Sequence, residues 1–178
     1  MNKRRGFTLI ESIVVMVVMA FAMVTITSFL MPQVASSADP HYQSRASALG
    51  QSVMTKILAR KFDHNNSAGG EVRCSLSGAT ACRALGIDTD LGETATAPDL
   101  FNDVDDYRGC WTPNGTSGCN NLYDLISSGE DSSYHNFRLD IDVVYAVNTS
   151  TQMVKKITLK IAASDQTPIE YVAYRGNY

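Results

Sequence analysis

Ser12 to Met31 is a run of 20 residues without one charged side chain, and Lys3, Arg4 and Arg5 stand just ahead of it. A helix rises about 1.5 Å per residue, so such a run reaches about 30 Å, the hydrocarbon thickness of a bilayer. No second stretch of that length and polarity occurs in the 178 residues, which excludes a polytopic membrane protein. The remainder is too rich in hydrophobic residues, and too free of low-complexity runs, for a disordered chain. A net charge of −3 argues against a nucleic-acid binder that relies on overall charge. What is left is one head domain behind a single apolar segment.

Read from Phe7, the apolar segment is 25 residues long and Glu11 is its only ionisable side chain. A cleaved secretory signal needs a shorter apolar core and a small-x-small cleavage site, which Val34-Ala35-Ser36 imitates only weakly. An ordinary anchor fits the length and the basic, cytoplasm-retained start. It leaves Glu11 unexplained, because a carboxylate inside an apolar helix costs roughly 2.5–3.5 kcal/mol on insertion scales and by default marks a function with a partner.

Lys3-Arg4-Arg5-Gly6-Phe7-Thr8-Leu9-Ile10-Glu11 resembles the signal of type IV prepilins and type II secretion pseudopilins: a short basic leader ending in Gly, then Phe, Thr, Leu, an apolar residue and Glu. The resemblance implies that an inner-membrane prepilin peptidase cuts between Gly6 and Phe7 and methylates the new amine of Phe7. It implies that Glu11 pairs with the N-terminal amine of a neighbouring subunit during filament assembly, as a docking residue and not as a catalytic acid. The physical reasons agree. A basic leader holds Gly6 on the cytoplasmic side, a glycine gives a protease close approach to the backbone, and an unpaired charge in apolar surroundings favours one axial register.

The expected organisation is a leader at 1–6, a transmembrane and filament-core helix at 7–31, a kink at 32–40 and a periplasmic or extracellular head at 41–178. Pro32 lacks an amide donor and predicts a kink or local unwinding, and Ser36 to Pro40 is a second breaker cluster. From His41 to Phe62, Ala46, Leu49, Val53 and Ile57 recur at helical steps, flanked by Met54, Leu58 and Phe62. This is an amphipathic helix made to cover a sheet. Residues 63 to about 131 read as loop. Then Phe137, Leu139, Ile141, Val143, Tyr145 and Val147 alternate with mostly polar neighbours, Ile157, Leu159 and Ile161 do the same, and Ile169 to Arg175 makes a third strand. The fold class is α+β, a long apolar helix followed by a helix packed on an antiparallel sheet, as in pilins.

Cys74 and Cys82 have seven residues between them, and Cys110 and Cys119 have eight, spacings that suit neither a zinc ribbon nor a redox CxxC. In an exported domain four cysteines read as disulfides. Of the three connectivities, the local pairs Cys74–Cys82 and Cys110–Cys119 are preferred.

Further blocks narrow the resemblance. Thr25 to Gln33, Pro40-His41-Tyr42, Ile57-Leu58-Ala59-Arg60 and Phe101-Asn102-Asp103-Val104-Asp105-Asp106-Tyr107 with Gly109-Cys110 are similar to minor prepilins of the mannose-sensitive haemagglutinin (MSHA) pilus. This implies a low-abundance subunit that helps initiate, cap or modify a surface-attachment pilus, with major and minor pilins and an inner-membrane assembly platform as partners. A type II secretion pseudopilin and a tip adhesin carried on a pilin stalk are the alternatives. Many major pilins close a C-terminal loop with a cysteine, whereas none follows Cys119 here.

Asp99, Asp103, Asp105 and Asp106 crowd one short span and read as a solvated acidic turn; were calcium to bind, Asp103 and Asp105 are the first candidates. His41, His64 and His135 are scattered and read as surface residues, and no catalytic motif is present, so neither an enzyme nor a cofactor is expected. Lys155, Lys156 and Lys160 read as a solvated strand face. Loss of the three leader cations would take the net charge from −3 to −6, against any general affinity for DNA. Trp111 is expected to pack on the adjacent disulfide.

Overall fold

The computed structural model describes residues 8–37, 39–76, 78–127, 133–163 and 166–178. The chain divides between His41 and Tyr42 into two compact units.

The first unit holds helix α1, Leu9–Ser37. All side chains from Thr8 to Leu30 are exposed, so the helix presents apolar surface all round, as a helix made for apolar surroundings does. Its hydroxyls turn inward: Thr25 donates to the Phe21 carbonyl at 3.0 Å and Thr27 to that of Met23 at 2.8 Å, so neither needs water. Leu9–Leu30 is, among the described residues, the one helix long and apolar enough to cross a membrane. Pro32, where the sequence predicts a kink or unwinding, lies within the helical span, which ends only at Ser37. One missing amide removes one backbone bond, and the rest of the ladder carries the helix past it.

Helix α2, Asp39–Leu58, leads into the second unit. Its Asp-Pro start puts the proline in the first turn, where a missing N–H costs nothing. Ala46, Leu49, Val53, Met54 and Ile57 are buried on one face. Gly50 lies on that face too, and a Cβ there would fall within 3 Å of the Tyr171 ring and of Ile161 Cδ1. The helix stops at Leu58, four residues short of the sequence expectation. Phe62 is buried all the same, in a small cluster with Cys74 and Met153.

Helix α2 covers a five-stranded sheet formed by β1 (Gly109–Thr112), β2 (Asn120–Asn121), β3 (Phe137–Asn148), β4 (Met153–Ala163) and β5 (Ile169–Gly176), in the order β2-β1-β3-β4-β5. The three long strands form the expected antiparallel meander, with Ile141 opposite Leu159 and Leu159 opposite Tyr171. Leu139, Ile141, Val143, Ile157, Leu159 and Ile161 join the buried face of α2 in one core. The outer face carries ion pairs, Arg138–Asp140 and Lys160–Glu170 among them. The head is α+β, as its residue pattern predicts.

The stretch read as loop contains more. β1 pairs antiparallel with β3 and parallel with β2, and a short helix α3, Leu122–Ile126, follows directly, capped by the Asn121 side chain. The cysteines pair as Cys74–Cys82 and Cys110–Cys119, with Cα separations of 4.8 and 4.6 Å. Trp111 does not rest on a disulfide as expected. Alternation along β1 turns it to the core, opposite in face to Cys110, and its indole N–H donates to the Tyr107 carbonyl at 3.0 Å. The Phe101 ring meets those of Tyr107 and Trp111 edge-on, at 5.0 and 6.4 Å between centroids.

Candidate functional site

Two groups of residues are candidates for a functional role, one in each unit. Gly6 and Phe7, the expected cleavage and methylation positions, lie outside the described residues. Glu11 lies in the first turn of α1, and its backbone N–H donates to the Thr8 hydroxyl at 3.3 Å. Thr8 thus caps the helix, with Glu11 three residues on, the spacing of a capping box. The sequence carries this Thr-x-x-Glu signal plainly, beside the assembly role that resemblance assigns to Glu11.

The second group lies under the loop segment 101–107. Phe101, Val104 and Tyr107 point into the core, while Asp103, Asp105 and Asp106 are turned inward to hold backbone. None of the three is more than 2% exposed, so the solvated acidic turn expected here is instead a buried one. Only Asp99 stays in water, paired with Lys56 at 2.8 Å.

The reason is that regular structure between α2 and β1 amounts, among the described residues, to two single 3-10 turns, Thr89–Leu91 and Pro98–Leu100. Amides that have no ladder partner need acceptors, and buried carboxylates supply them. Asp63 accepts from the amides of Asn65 and Arg83, Asp103 from His64 and Asp105, Asp105 from Gly86, and Asp106 from Asn102 and Asp103, all at 2.9–3.1 Å. Glu93, also buried, accepts from the Asn102 side-chain amide. His64, read as a surface residue, is half-buried with Nδ1 3.0 Å from Asn102 Nδ2.

Lys155 enters the same region from β4. It is fully buried, not solvated as expected. Its ammonium contacts the Asp105 carboxylate, donates to the Phe62 carbonyl at 2.6 Å, lies 3.8 Å from Asp63 and sits 4.5 Å from the centre of the Phe62 ring. Arg83 Nε lies 2.6 Å from Asp88, and the guanidinium also meets Asp90. Asp103, Asp106 and Glu93 have no ion-pair partner among the described residues. Burial, and then the charges of Asp105 and Asp106, push the Asp103 carboxyl up to about 9; burial with Glu93 alongside pushes Asp106 up to about 7. Asp105, one of the two residues first considered for calcium, faces Lys155. Asp103, the other, lies with Asp88 and Asp106: one oxygen from each is within 4.8 Å of the others.

The family of the prokaryotic N-terminal methylation motif matches residues 1–27. The match supports a type IV pilin-like or pseudopilin protein. The motif implies processing by a prepilin peptidase and assembly with other pilins, and it suggests a structural subunit and not an enzyme. Together with the apolar α1 it fits membrane anchoring. No curated protein and no solved structure matches the chain.

Proposed function

We propose that this chain is a minor type IV pilin of the MSHA type, similar to MshD, that helps initiate, cap or modify a surface-attachment pilus. The observation that carries the reading is the methylation motif at residues 1–27, which takes in most of an apolar helix whose one ionisable group is Glu11. The precursor sits in the inner membrane with its head, 41–178, in the periplasm. Prepilin peptidase cuts after Gly6 and methylates Phe7. The assembly platform then draws α1 into the filament among major and minor pilins, where Glu11 pairs with a neighbour's terminal amine and fixes the axial register. A pair of opposite charges in a dry helical bundle is tolerated only when both partners are present, so register errors leave Glu11 unpaired and are penalised.

Intact-mass measurement on protein from membranes and from sheared surface filaments tests this. A chain beginning at N-methylated Phe7 and present in filaments is the expected result. A chain that keeps Lys3 to Gly6 in cells with active peptidase overturns it. Processed protein that is absent from surface pili but needed for secretion supports the pseudopilin alternative.

A further inference from the structure

We propose that the free edge of β5 is a docking surface for a second copy of this chain, which adds its own β5 antiparallel and joins the two sheets into one. This inference stands apart from the pilin reading and holds or fails without it.

Hydrogen-bond phase defines the open edge. The Asn177 N–H donates to the Met153 carbonyl at 3.0 Å, which continues the register that sets Gly176 opposite Val154 and Arg175 opposite Lys155. In an antiparallel pair, residues that exchange bonds alternate with residues that do not. Ile169, Tyr171, Ala173 and Arg175 therefore turn their backbone groups toward β4, and Glu170, Val172 and Tyr174 turn theirs away from the sheet. Among the described residues, nothing bonds to those outward groups, because β5 is the last strand on its side.

Proteins usually blunt such an edge by shortness, proline, a bulge or a cover. The far edge of this sheet is blunted: β2 is two residues long, and α3 follows it directly. Strand β5 is eight residues long, has no proline within it and pairs with β4 without a register shift. It is closed only at its ends. Pro168, just before it, has no N–H to offer. At the other end the Tyr178 N–H takes the Gly176 carbonyl at 3.0 Å, and the Tyr178 ring occupies the space of a Gly176 side chain.

What stays open matches itself. An antiparallel second β5 centred on Val172 sets Val172 against Val172 and Glu170 against Tyr174, so outward backbone groups meet outward backbone groups at each pair. A slip of one residue sets outward groups against inward ones and loses the bonds. A slip of two brings in Pro168 or Gly176, neither of which has both groups to give.

Charge selects the antiparallel direction. Glu170 stands near one end of β5 and Arg175 near the other, so antiparallel pairing brings unlike ends together and parallel pairing stacks like on like. On the exposed face Lys160 lies 3.6 Å from Glu170, while Lys156, opposite Tyr174, has no ion pair among the described residues. Across the seam Glu170 stands between its own Lys160 and, one strand beyond the opposing Tyr174, Lys156 of the second copy. The centre of the seam is apolar: Val172 is 45% exposed and Tyr174 60%. Both lose water when the edge is covered.

Thiol bridging in the full chain in detergent tests this. All native cysteines are in disulfides, so Val172→Cys and Val144→Cys each carry one free thiol. In the proposed pair the two Val172 Cα atoms are about 5.5 Å apart, as in any hydrogen-bonded antiparallel pair. Val144 is exposed on the same face of the sheet but lies on β3, five strand spacings, or about 24 Å, from its counterpart. Each variant is treated with dibromobimane, which joins two thiols a few ångströms apart, and run on a denaturing, reducing gel. The expected result is a bridged homodimer of Val172→Cys at least tenfold more abundant than that of Val144→Cys. Val172→Lys, which opposes two ammonium groups at the centre of the seam, is expected to weaken association at least tenfold in sedimentation velocity and to leave the Tm unchanged. Equal bridging at both positions, the result of two chains sharing a micelle, overturns the proposal, as does bridging at neither. Association unchanged in Val172→Lys overturns the seam. Treated in cells, a Val172→Cys chain bridged to a different protein and never to itself overturns the second copy as the occupant.

Discussion

Lys155 and Asp105 meet as an ion pair with both side chains withdrawn from solvent, Lys155 at 0% and Asp105 at 1% exposure. The pair joins strand β4 to the chain between α2 and β1, because Asp105 also holds the Gly86 amide at 3.1 Å and Lys155 also holds the Phe62 carbonyl. Its role is to fix the loop, and each partner depends on the other for its buried charge.

Lys155→Met is therefore expected to destabilise the head by about 3–5 kcal/mol, the cost of stranding a buried partner. Adding Asp105→Asn, which removes the orphaned charge and keeps an oxygen for Gly86, is expected to recover part of that loss. Urea unfolding of the full chain in detergent, read by Trp111 fluorescence, measures both. A loss below about 1 kcal/mol in the single variant is incompatible with a pair this deeply buried.

The elevated carboxyls set a pH dependence. Asp103, near 9, and Asp106, near 7, hold protons in the folded head that they release in the unfolded chain near the usual carboxylate value of about 4. Between about pH 4 and pH 9 the native state thus binds more protons, and its stability falls as pH rises. Asp90 and Asp99, lowered by Arg83 and Lys56 respectively, act only below that window. In EDTA the Tm at pH 5 is expected to exceed that at pH 8; a Tm that climbs over this range contradicts the burial of these groups.

Much of the frame is legible in the sequence because periodicity follows burial. The stripe Ala46, Leu49, Val53, Ile57 and the alternation of β3 and β4 give the helix, the sheet and the face between them. Lys155 was legible by the same rule: it shares its phase with Ile157, Leu159 and Ile161, and two steps of alternation place it on the core side. Its charge suggests water, and the period is the better guide when buried acids face the strand. The depth of Asp63, Asp88, Glu93 and Asp106 is not legible in this way. Asp63 and Glu93 take donors from other loop segments, Arg83 and Asn102, Asp88 meets Arg83, and Asp106 holds the amides of its own turn, and no periodic signal encodes such irregular pairings. Strands β1 and β2 are too short for alternation to register.

The two disulfides are expected to differ in worth. Loops of this size contribute roughly 2.5 kcal/mol each in the chain-entropy model. Cys74 is also fully buried against Phe62 and Met153, and its backbone is bonded to Asn66 and Asn177. Cys74→Ser with Cys82→Ser is thus expected to cost more than Cys110→Ser with Cys119→Ser. Equal losses in urea unfolding count against a packing contribution from the first pair.

At Gly50, α2 packs on the sheet with no room for a side chain. Gly50→Leu forces a side chain against the Tyr171 ring and Ile161, and overpacking of this kind costs about 1–3 kcal/mol, more than the gain in helix propensity of about 1 kcal/mol. A lowered Tm with unchanged membrane insertion is the expected outcome. A raised Tm means that the ring moves aside freely.

Glu11 carries two readings that one pair of variants separates. As the N3 residue of a helix capped by Thr8, it belongs to the start of α1. As the proposed docking residue, it acts only when a neighbour's amine arrives. If capping is its whole role, Thr8→Ala, which removes the hydroxyl that accepts the Glu11 amide, impairs the protein as much as Glu11→Leu does. If docking is its role, Glu11→Leu abolishes incorporation into filaments while the variant still inserts and is still processed, because replacing a charge with an apolar residue only eases entry into the bilayer. Thr8→Ala, which costs a helix cap of about 1 kcal/mol, then leaves incorporation largely intact. Counting each variant in membranes and in sheared filaments, by immunoblot against the head, decides between them. We expect Glu11→Leu in the membrane fraction alone and Thr8→Ala in both.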